Sequence, residues 1–120
     1  MATVEITSQN IEETLKNNDI VALDFWATWC GPCRQFGPIF EKVSEENTDI
    51  VFGKIDTDAQ QELSSGAGIS SIPTLMIFRE GIPVFRQSGA LPASALQDVI
   101  QQVRDLDMDD VRKQMEEQQK

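Results

Sequence analysis

Apolar residues follow two distinct patterns in the first half of the chain. Residues 20–26 form an almost uninterrupted apolar run, which is typical of a strand buried on both faces. Residues 30–47 instead carry apolar side chains at helical spacing, namely Phe36, Ile39, Phe40 and Val43. The two patterns predict a central strand followed by an amphipathic helix, and Pro38 inside that helix predicts a kink.

The other patterned segments predict shorter elements on either side. A strand over 4–6 leads to a helix that Thr7 or Ser8 caps and that ends near Asn17. Glu80-Gly81 is a hairpin signal, and Pro83 places the strand after it at a sheet edge. The remaining predicted elements are a strand over 50–56, a helix over 59–65 ended by Gly66 and Gly68, strands over 74–79 and 82–87, and a helix from about residue 93.

The predicted order of elements is β-α-β-α-β-α-β-β-α. Crossover helices make the first three strands parallel, and the tight hairpin makes the last two antiparallel. The expected fold class is therefore α/β, with a central five-stranded mixed sheet flanked by four helices.

The segment 107–120 differs from the rest in composition. It is highly charged but keeps Met108, Val111 and Met115 at helical spacing, which predicts a short amphipathic C-terminal helix. A frayed, solvated end is the alternative interpretation. We therefore divide the chain into one domain over 1–106 and an acidic C-terminal extension over 107–120.

Composition narrows the expected partners and location. The 120 residues fit one globular domain, and the formal net charge is −10. Nucleic acids and anionic membranes are polyanions, so we expect neither as a partner. The chain has no histidine, the commonest metal ligand, and we expect no metal. No basic stretch followed by an apolar one opens the chain, so we expect a cytoplasmic location, and we expect a monomer.

The chain's two cysteines, Cys30 and Cys33, are the strongest chemical signal. A structural disulfide is one interpretation, but so small a ring holds no distant segments together, and a reducing cytosol disfavours it. Half of a zinc site is another, but the remaining Cys or His ligands are missing. Thiol–disulfide redox chemistry is the interpretation that we favour.

The predicted helix start gives the two cysteines different environments. Cys30 as N-cap turns its sulfur toward backbone N–H groups and the positive end of the helix dipole, which stabilise a thiolate. Pro32 has no N–H, so the donor to that sulfur should be Cys33. Gly31 leaves the surface open to a partner chain. Pro32 stiffens the turn, and we expect this rigidity to favour the dithiol and hence a reducing protein.

Asp24 is the one carboxylate in the apolar run 20–26, just before the cysteines. Burial would raise its pKa toward neutrality and make it a proton acceptor for Cys33. A solvated aspartate at a sheet edge is the alternative. Lys54 lies on the strand expected beside it and could pair with Asp24, or it could be an ordinary surface lysine.

Pro73 and Trp29 complete the candidate site. Only about 5% of X–Pro bonds are cis, so the sequence alone favours a trans Ile72-Pro73 bond. Trp26 and Trp29 flank the loop before Cys30, and Trp29 is the one expected to form a wall of the site.

Taken together, these residues resemble the thioredoxin family. The matching stretches cover about residues 3–106 and include 24–34 with Cys30-Gly31-Pro32-Cys33, then Lys54, Ile72-Pro73-Thr74 and Gly89-Ala90-Leu91. The resemblance implies the thioredoxin fold and a protein disulfide reductase. Such a protein carries no cofactor of its own and receives electrons from a thioredoxin reductase that uses NADPH.

The resemblance also implies roles for individual residues. Cys30 would be the attacking thiol, Cys33 the resolving one, Asp24 the buried acid/base and Lys54 its partner. It implies a cis Pro73 opposite the disulfide, and backbone groups of Ile72 that pair with an extended substrate strand. The implied docking surface consists of Trp29, Gly31, Pro32, Ile72, Pro73, Gly89 and Ala90.

Several positions depart from the family pattern. Family members often carry an aromatic residue and an arginine shortly before Ile-Pro-Thr, where this chain has Ala67 and Ser70. Pro92 stands where the last helix usually has a hydroxyl cap. These departures leave the choice of substrates open.

Two further functions stay open at this point. One is an oxidase or isomerase on the same fold. The other is a binding or co-chaperone module that uses the segment 107–120 as its contact surface.

Overall fold

The computed structural model describes residues 2–118, so residue 1 and residues 119–120, at the ends of the predicted domain and extension, lie outside it. Five strands form one sheet, with helices between and after them. The strands are β1 (Thr3–Glu5), β2 (Ile20–Trp26), β3 (Val51–Asp56), β4 (Thr74–Arg79) and β5 (Ile82–Ser88). The helices are α1 (Ile11–Asn17), α2 (Gly31–Glu46), α3 (Gln61–Gly66), α4 (Ala93–Arg104) and α5 (Met108–Gln118).

The sheet is mixed, in the order β1-β3-β2-β4-β5. The three strands β1, β3 and β2 are parallel, while β4 runs antiparallel to both β2 and β5. β2 lies at the centre, where Asp24 has Lys54 of β3 on one side and Leu75 of β4 on the other. The predicted fold class and strand directions are confirmed.

The β4–β5 hairpin shows how two residues set the strand geometry. Glu80 and Gly81 both have positive φ, at 53° and 78°. Such a two-residue turn matches the right-handed twist of the strands that it joins. β5 forms a sheet edge, as Pro83 predicts.

Each face of the sheet carries its own apolar cluster. On one face α2 and α4 pack through Phe36, Phe40, Leu96 and Ile100. Ile11 and Leu15 of α1, together with Leu63 of α3, cover the other face. Removing one such buried phenylalanine typically lowers stability by about 3–5 kcal/mol.

Helix α2 begins with Cys30 as its N-cap and continues through Pro38 to Glu46. The kink predicted at Pro38 stays a prediction. This long helix, anchored by Phe36 and Phe40 on the core, gives the two cysteines a fixed place on the sheet.

The start of α1 differs from the prediction. The helix begins at Ile11, and a turn precedes it in which the hydroxyl of Thr7 accepts from the N–H of Gln9 at 3.2 Å. The side chain of Asn10 accepts from the N–H of Thr7 at 2.8 Å and donates to the carbonyl of Glu5 at 2.9 Å. The Thr7 cap therefore belongs to this turn and not to the helix.

The predicted C-terminal helix is confirmed as α5. Met108 is buried, and Arg112 forms a salt bridge with Glu80 of the hairpin at 2.9 Å. The division of the chain at residue 107 stays a prediction. Within residues 2–118, none of the helices has the length and apolar character needed to cross a membrane.

Candidate active site

The cysteine pair lies where two parallel strands end. Because β2 and β3 are adjacent and parallel, their carboxyl ends meet at one edge of the sheet. β2 ends at Trp26, and Cys30 then opens α2. Cys30 and Cys33 form a disulfide with their Cα atoms 5.3 Å apart, and both side chains are buried.

The sulfur of Cys30 sits at the N-terminus of α2. It accepts a hydrogen bond from the backbone N–H of Cys33 at 3.2 Å, the donor that the sequence predicts. An N–H donor and the positive end of the helix dipole both stabilise a negative sulfur. The same sulfur lies 3.6 Å from the carbonyl oxygen of Ile72.

Asp24 is a buried carboxyl group of β2, two residues before the end of the strand that leads to the pair. Its side chain is 1% exposed, and Oδ1 has no hydrogen-bond partner within residues 2–118. Burial raises the pKa of Asp24 to about 7, while the charge of Lys54 lowers it by less. The burial rules out a solvated aspartate at a sheet edge, and the carboxyl group titrates near neutral pH.

Lys54 of β3 lies opposite Asp24 of β2 in the sheet, but the two side chains do not form a direct ion pair. The ion pairs in the described part of the chain involve other residues. Its Nζ lies 5.1 Å from the centroid of the Trp26 ring instead. A cation over an aromatic face is attracted to it. The direct pairing that the strand order allowed is therefore absent, and Lys54 influences Asp24 through its charge.

An open cavity of about 500 Å³ adjoins the pair. Trp26, Cys33, Gly37 and Lys54 contribute to its lining. The cavity brings Cys33 and Lys54 to a common space that solvent can enter.

The Ile72-Pro73 bond is cis. The base rate for proline bonds pointed to trans and was wrong, whereas the family resemblance pointed to cis. The carbonyl of Pro73 accepts from the N–H of Gly89 at 2.8 Å, which holds the loop at Gly89 beside Pro73. Gly89 has φ of +96°, a conformation that favours glycine.

The remaining residues of the implied docking surface lie around the disulfide. Trp29 is 67% exposed, and its indole N–H donates to Asp58 at 3.0 Å. Gly31 has open space where a side chain would stand. Gly31, Pro32, Gly89 and Ala90 are exposed, Ile72 is half-buried and Pro73 is buried. Ile72 is thus at the Cys30 sulfur, with Pro73 and Gly89 next to it, while the role of this surface in docking stays a prediction.

Two contacts at this end were not predicted. Asp58 orients Trp29, and Trp26 contacts Lys54. Asp58 follows β3, whose carboxyl end meets that of β2, so the predicted strand order contained a signal for Asp58. The Trp26 contact carried no such signal, because it depends on which way the lysine side chain turns.

A Cys-x-x-Cys pair at a helix start, with one sulfur bonded by a backbone N–H and a buried carboxyl group on the strand that leads to it, defines a dithiol–disulfide oxidoreductase site. Within residues 2–118, His, Cys, Asp and Glu side chains do not form a group of three or more that could hold a metal ion.

Comparisons with known proteins agree with this class. The family model described as thioredoxin matches residues 2–102. A Streptomyces coelicolor protein described as "Putative thioredoxin 2" is 61% identical over 118 residues, covering 98% of this chain and 88% of that protein. The thioredoxin of Mycobacterium bovis is 40% identical over 97 residues, covering 79% of this chain and 84% of that protein.

Solved structures show the same relationship. A mutant thioredoxin from Halobacterium salinarum has a TM-score of 0.79 and 35% sequence identity, covering 87% of this chain and 91% of that one. The chain belongs to the thioredoxin family. It is a protein dithiol–disulfide oxidoreductase that exchanges thiols and disulfides through Cys30 and Cys33. Proteins of this family need no prosthetic cofactor and act on disulfide substrates.

Proposed function

We propose that this protein is a reductant of protein disulfides in which Cys30 attacks and Cys33 resolves. The observation that carries the proposal is the 3.2 Å hydrogen bond from the Cys33 N–H to the Cys30 sulfur at the start of α2. That bond and the helix dipole lower the free energy of a thiolate on Cys30.

In the first step the Cys30 thiolate attacks one sulfur of the substrate disulfide. A bond forms between Cys30 and that sulfur, the substrate S–S bond breaks, and the released thiolate takes a proton from solvent. The product is a mixed disulfide between Cys30 and the substrate.

In the second step the Cys33 thiol gives its proton to the Asp24 carboxylate and attacks the Cys30 sulfur. The Cys30–Cys33 disulfide forms, and the second substrate thiolate leaves and is protonated. Two electrons have then passed from the dithiol to the substrate. A carboxyl group with a pKa of about 7 suits this transfer, because it is near its midpoint at neutral pH.

We assign substrate docking to the exposed surface around the disulfide. The carbonyl of Ile72 lies 3.6 Å from the Cys30 sulfur, so an extended substrate strand pairing with Ile72 would place its own sulfur within reach. The surface that we assign to this contact comprises Trp29, Gly31, Pro32, Ile72, Pro73, Gly89 and Ala90. Lys54 completes the proposed machinery by favouring the ionised form of Asp24.

The spent disulfide must be reduced again for turnover. Thioredoxins are generally reduced by thioredoxin reductase, and we propose that such an enzyme, drawing electrons from NADPH, serves this chain. We also propose a cytoplasmic location, where glutathione and related systems keep thiols reduced. Cell fractionation with an antibody to the chain tests that location.

A Cys33→Ser variant tests the division of roles. In cell extract it should accumulate mixed disulfides on Cys30, because attack proceeds and resolution does not. The matched Cys30→Ser variant should trap nothing, since its remaining thiol is the resolving one. Trapping by Cys30→Ser instead of Cys33→Ser would reverse the proposed roles.

The direction of electron flow needs a separate measurement. Equilibration of the wild-type protein with glutathione buffers should leave the pair oxidised in buffers where an oxidase of this fold stays reduced. A pair that stays largely reduced would indicate an oxidase or isomerase and would contradict the proposal.

A further inference from the structure

Residues 67–73 form the loop between α3 and β4, and this loop brings the carbonyl oxygen of Ile72 to 3.6 Å from the Cys30 sulfur. Within residues 2–118, the backbone N–H and carbonyl groups of residues 70–72 make no hydrogen bond to another backbone group. The stretch just before Pro73 therefore lacks backbone bonds that would fix its position, and side chains from the neighbouring strand take that role.

Arg86 of β5 holds the first half of the loop. Its guanidinium donates to the carbonyl of Ala67 at 2.7 Å and, through its other terminal nitrogen, to the carbonyl of Gly68. A planar guanidinium that bonds two successive carbonyls fixes the orientation of the backbone as well as its distance. Because Arg86 belongs to the sheet, these bonds anchor the loop to a strand.

Ser88, two residues further along β5, holds the second half of the loop. The hydroxyl of Ser71 donates to the hydroxyl of Ser88 at 2.9 Å. The buried Thr74 hydroxyl lies 3.3 Å from the same Ser88 oxygen and donates to the carbonyl of Ser71. Ser71 directly precedes Ile72, so these three hydroxyl groups determine where the backbone of Ile72 lies.

Arg86 and Ser88 reach the loop together because of the strand period. Side chains two residues apart on a strand point to the same face of the sheet, and the cross-strand partners of these two residues are Met76 and Thr74. Met76 belongs to the apolar cluster against which Ile72 packs. Both polar contacts therefore come from the face of the sheet on which the loop lies.

We propose that Arg86 and Ser88 are positioning residues for the reduction of protein disulfides. They hold the loop 67–73 so that the unpaired backbone of Ile72 is already in place for an extended substrate strand. A loop that is ordered before binding loses less conformational entropy when the substrate docks. The two residues act through Ile72 and not on the sulfur atoms. The assignment rests on the proposed function, because it concerns the pairing of Ile72 with the substrate.

Two substrates that release the same chromophore test this role. The first is a peptide whose single cysteine forms a mixed disulfide with thiopyridine. The second is dithiodipyridine, which has no peptide backbone. In each case the Cys30 thiolate forms a bond to one sulfur, the S–S bond breaks, and the released thiopyridone takes a proton from solvent. Its absorbance gives the second-order rate constant for the reduced protein.

Arg86→Met keeps the aliphatic part of the side chain and removes the guanidinium. We expect the rate constant for the peptide to fall about tenfold and that for dithiodipyridine to change by less than about twofold. Arg86→Lys should recover part of the loss, because an ammonium group also donates to carbonyls. The control Arg112→Met removes the same charge from the salt bridge with Glu80, away from the loop, and should change neither rate constant.

Ser88 gives a second, smaller effect. Ser88→Ala should slow the reaction with the peptide about threefold, because Ser71 and Thr74 lose their shared partner. Ser88→Thr keeps a hydroxyl group and should stay near the wild-type rate constant. The control Gln87→Ala changes an exposed residue that points to the other face of β5 and should have no effect.

A peptide that is N-methylated at its cysteine and at both neighbouring residues separates positioning from a general loosening of the fold. It cannot donate backbone hydrogen bonds to Ile72, so wild type and Arg86→Met should react with it at nearly equal rates. A structural role alone would lower the rate for this peptide as much as for the unmodified one.

Three results would overturn the assignment: a wild-type rate constant for the peptide in Arg86→Met, an equal loss for the peptide and dithiodipyridine, or the full loss with the N-methylated peptide. Failure of the proposed function is a different result. In that case the wild-type dithiol would react with dithiodipyridine and release no thiopyridone from the unmodified peptide.

Discussion

Asp24 lies toward the end of β2 that leads to the reacting cysteines, whereas Asp49 lies at the opposite end of the sheet, just before β3. Burial raises the pKa of Asp24 to about 7. Hydrogen bonds from Arg104 lower the pKa of Asp49, which is largely exposed. At neutral pH an aspartate side chain is therefore near its titration midpoint at one end of the sheet and ionised at the other.

At the end that carries Asp49 most buried polar groups find partners; Arg79 Nε is buried without a hydrogen bond within residues 2–118 but lies 3.8 Å from the carboxylate of Asp19. The guanidinium of Arg79 donates to the carbonyls of Val103, Arg104 and Leu106, which satisfies the last turn of α4. Arg104 in turn donates to Asn47 at 2.9 Å and to Asp49. These bonds connect α4 to the loop before β3 and serve stability.

The end that carries Asp24 contains buried polar atoms without partners. Asp24 Oδ1, Trp26 Nε1 and Ser64 Oγ all lack a hydrogen bond within residues 2–118. Each such atom typically lowers stability by about 1–3 kcal/mol. This end of the molecule therefore gives up stability, which suits the proton transfer and substrate binding that we propose there, and the predictions below test the contrast.

The largest expected effect concerns the pH dependence of stability. The ordinary aspartate pKa is 3.8, and that of Asp24 is about 7 in the folded protein. Between these values the folded state keeps a proton that the unfolded state has lost, so stability falls as pH rises from about 4 to about 7 and then levels. The loss is on the order of 4 kcal/mol, and Asp24→Asn should remove it.

Urea unfolding of the oxidised protein between pH 4 and pH 8 measures this difference while the disulfide stays intact. The exposed Asp98→Asn variant is the control and should keep the wild-type slope. Parallel pH profiles for wild type and Asp24→Asn would show that Asp24 ionises normally and would remove the contrast between the two ends.

The next effect is kinetic. Asp24→Asn should slow resolution by Cys33 about 100-fold near neutral pH, because a positioned general base contributes at least that much. Attack by Cys30 should be unchanged, so the first step in the same stopped-flow trace is an internal control. The deficit should narrow above about pH 9, where solvent can deprotonate the thiol. A defect confined to the first step would assign Asp24 to Cys30 instead.

A smaller effect is expected at the C-terminal helix. Met108 is 6% exposed and Met115 is 37% exposed, so Met108→Ala should lower the free energy of unfolding by about 2 kcal/mol and Met115→Ala by almost nothing.

Residues 1–106 alone should keep the wild-type rate of thiol–disulfide exchange. Loss of exchange in that truncated chain, measured on the folded protein, would show that the segment 107–120 contributes to the site.

Most of the fold follows from patterns that are local in sequence. β2 was predicted with its observed limits, because its apolar run has sharp polar ends. The hairpin was likewise predicted from a local signal, the two-residue turn Glu80-Gly81. The start of α1 was missed because the Asn10 side chain bonds the backbone of Glu5 and Thr7, while the Thr7 hydroxyl bonds the N–H of Gln9. Propensity does not resolve such a competition between short polar side chains.

The site divides in a similar way. The N-cap position of Cys30 and the burial of Asp24 follow from where the elements begin and end. The isomer of the Ile72-Pro73 bond does not, because the surrounding tertiary structure decides it against the base rate. The turn of Lys54 toward Trp26 also depends on packing between elements that no single segment encodes.

The smallest expected effect is at Asp49. Its pKa is lowered by Arg104, so its contribution to stability is present above the ordinary aspartate pKa and is lost as pH falls through the lowered value. The pair is exposed, so Asp49→Asn should lower stability at pH 7 by less than about 1 kcal/mol, and 1 M salt should reduce that loss. Asp98→Asn again controls for net charge, and thiol exchange should be unchanged. The sign of this pH dependence is opposite to that expected for Asp24. A gain in stability from Asp49→Asn at pH 7 would mean that the carboxylates at both ends of the sheet are unfavourable, and the contrast between the two ends would fail.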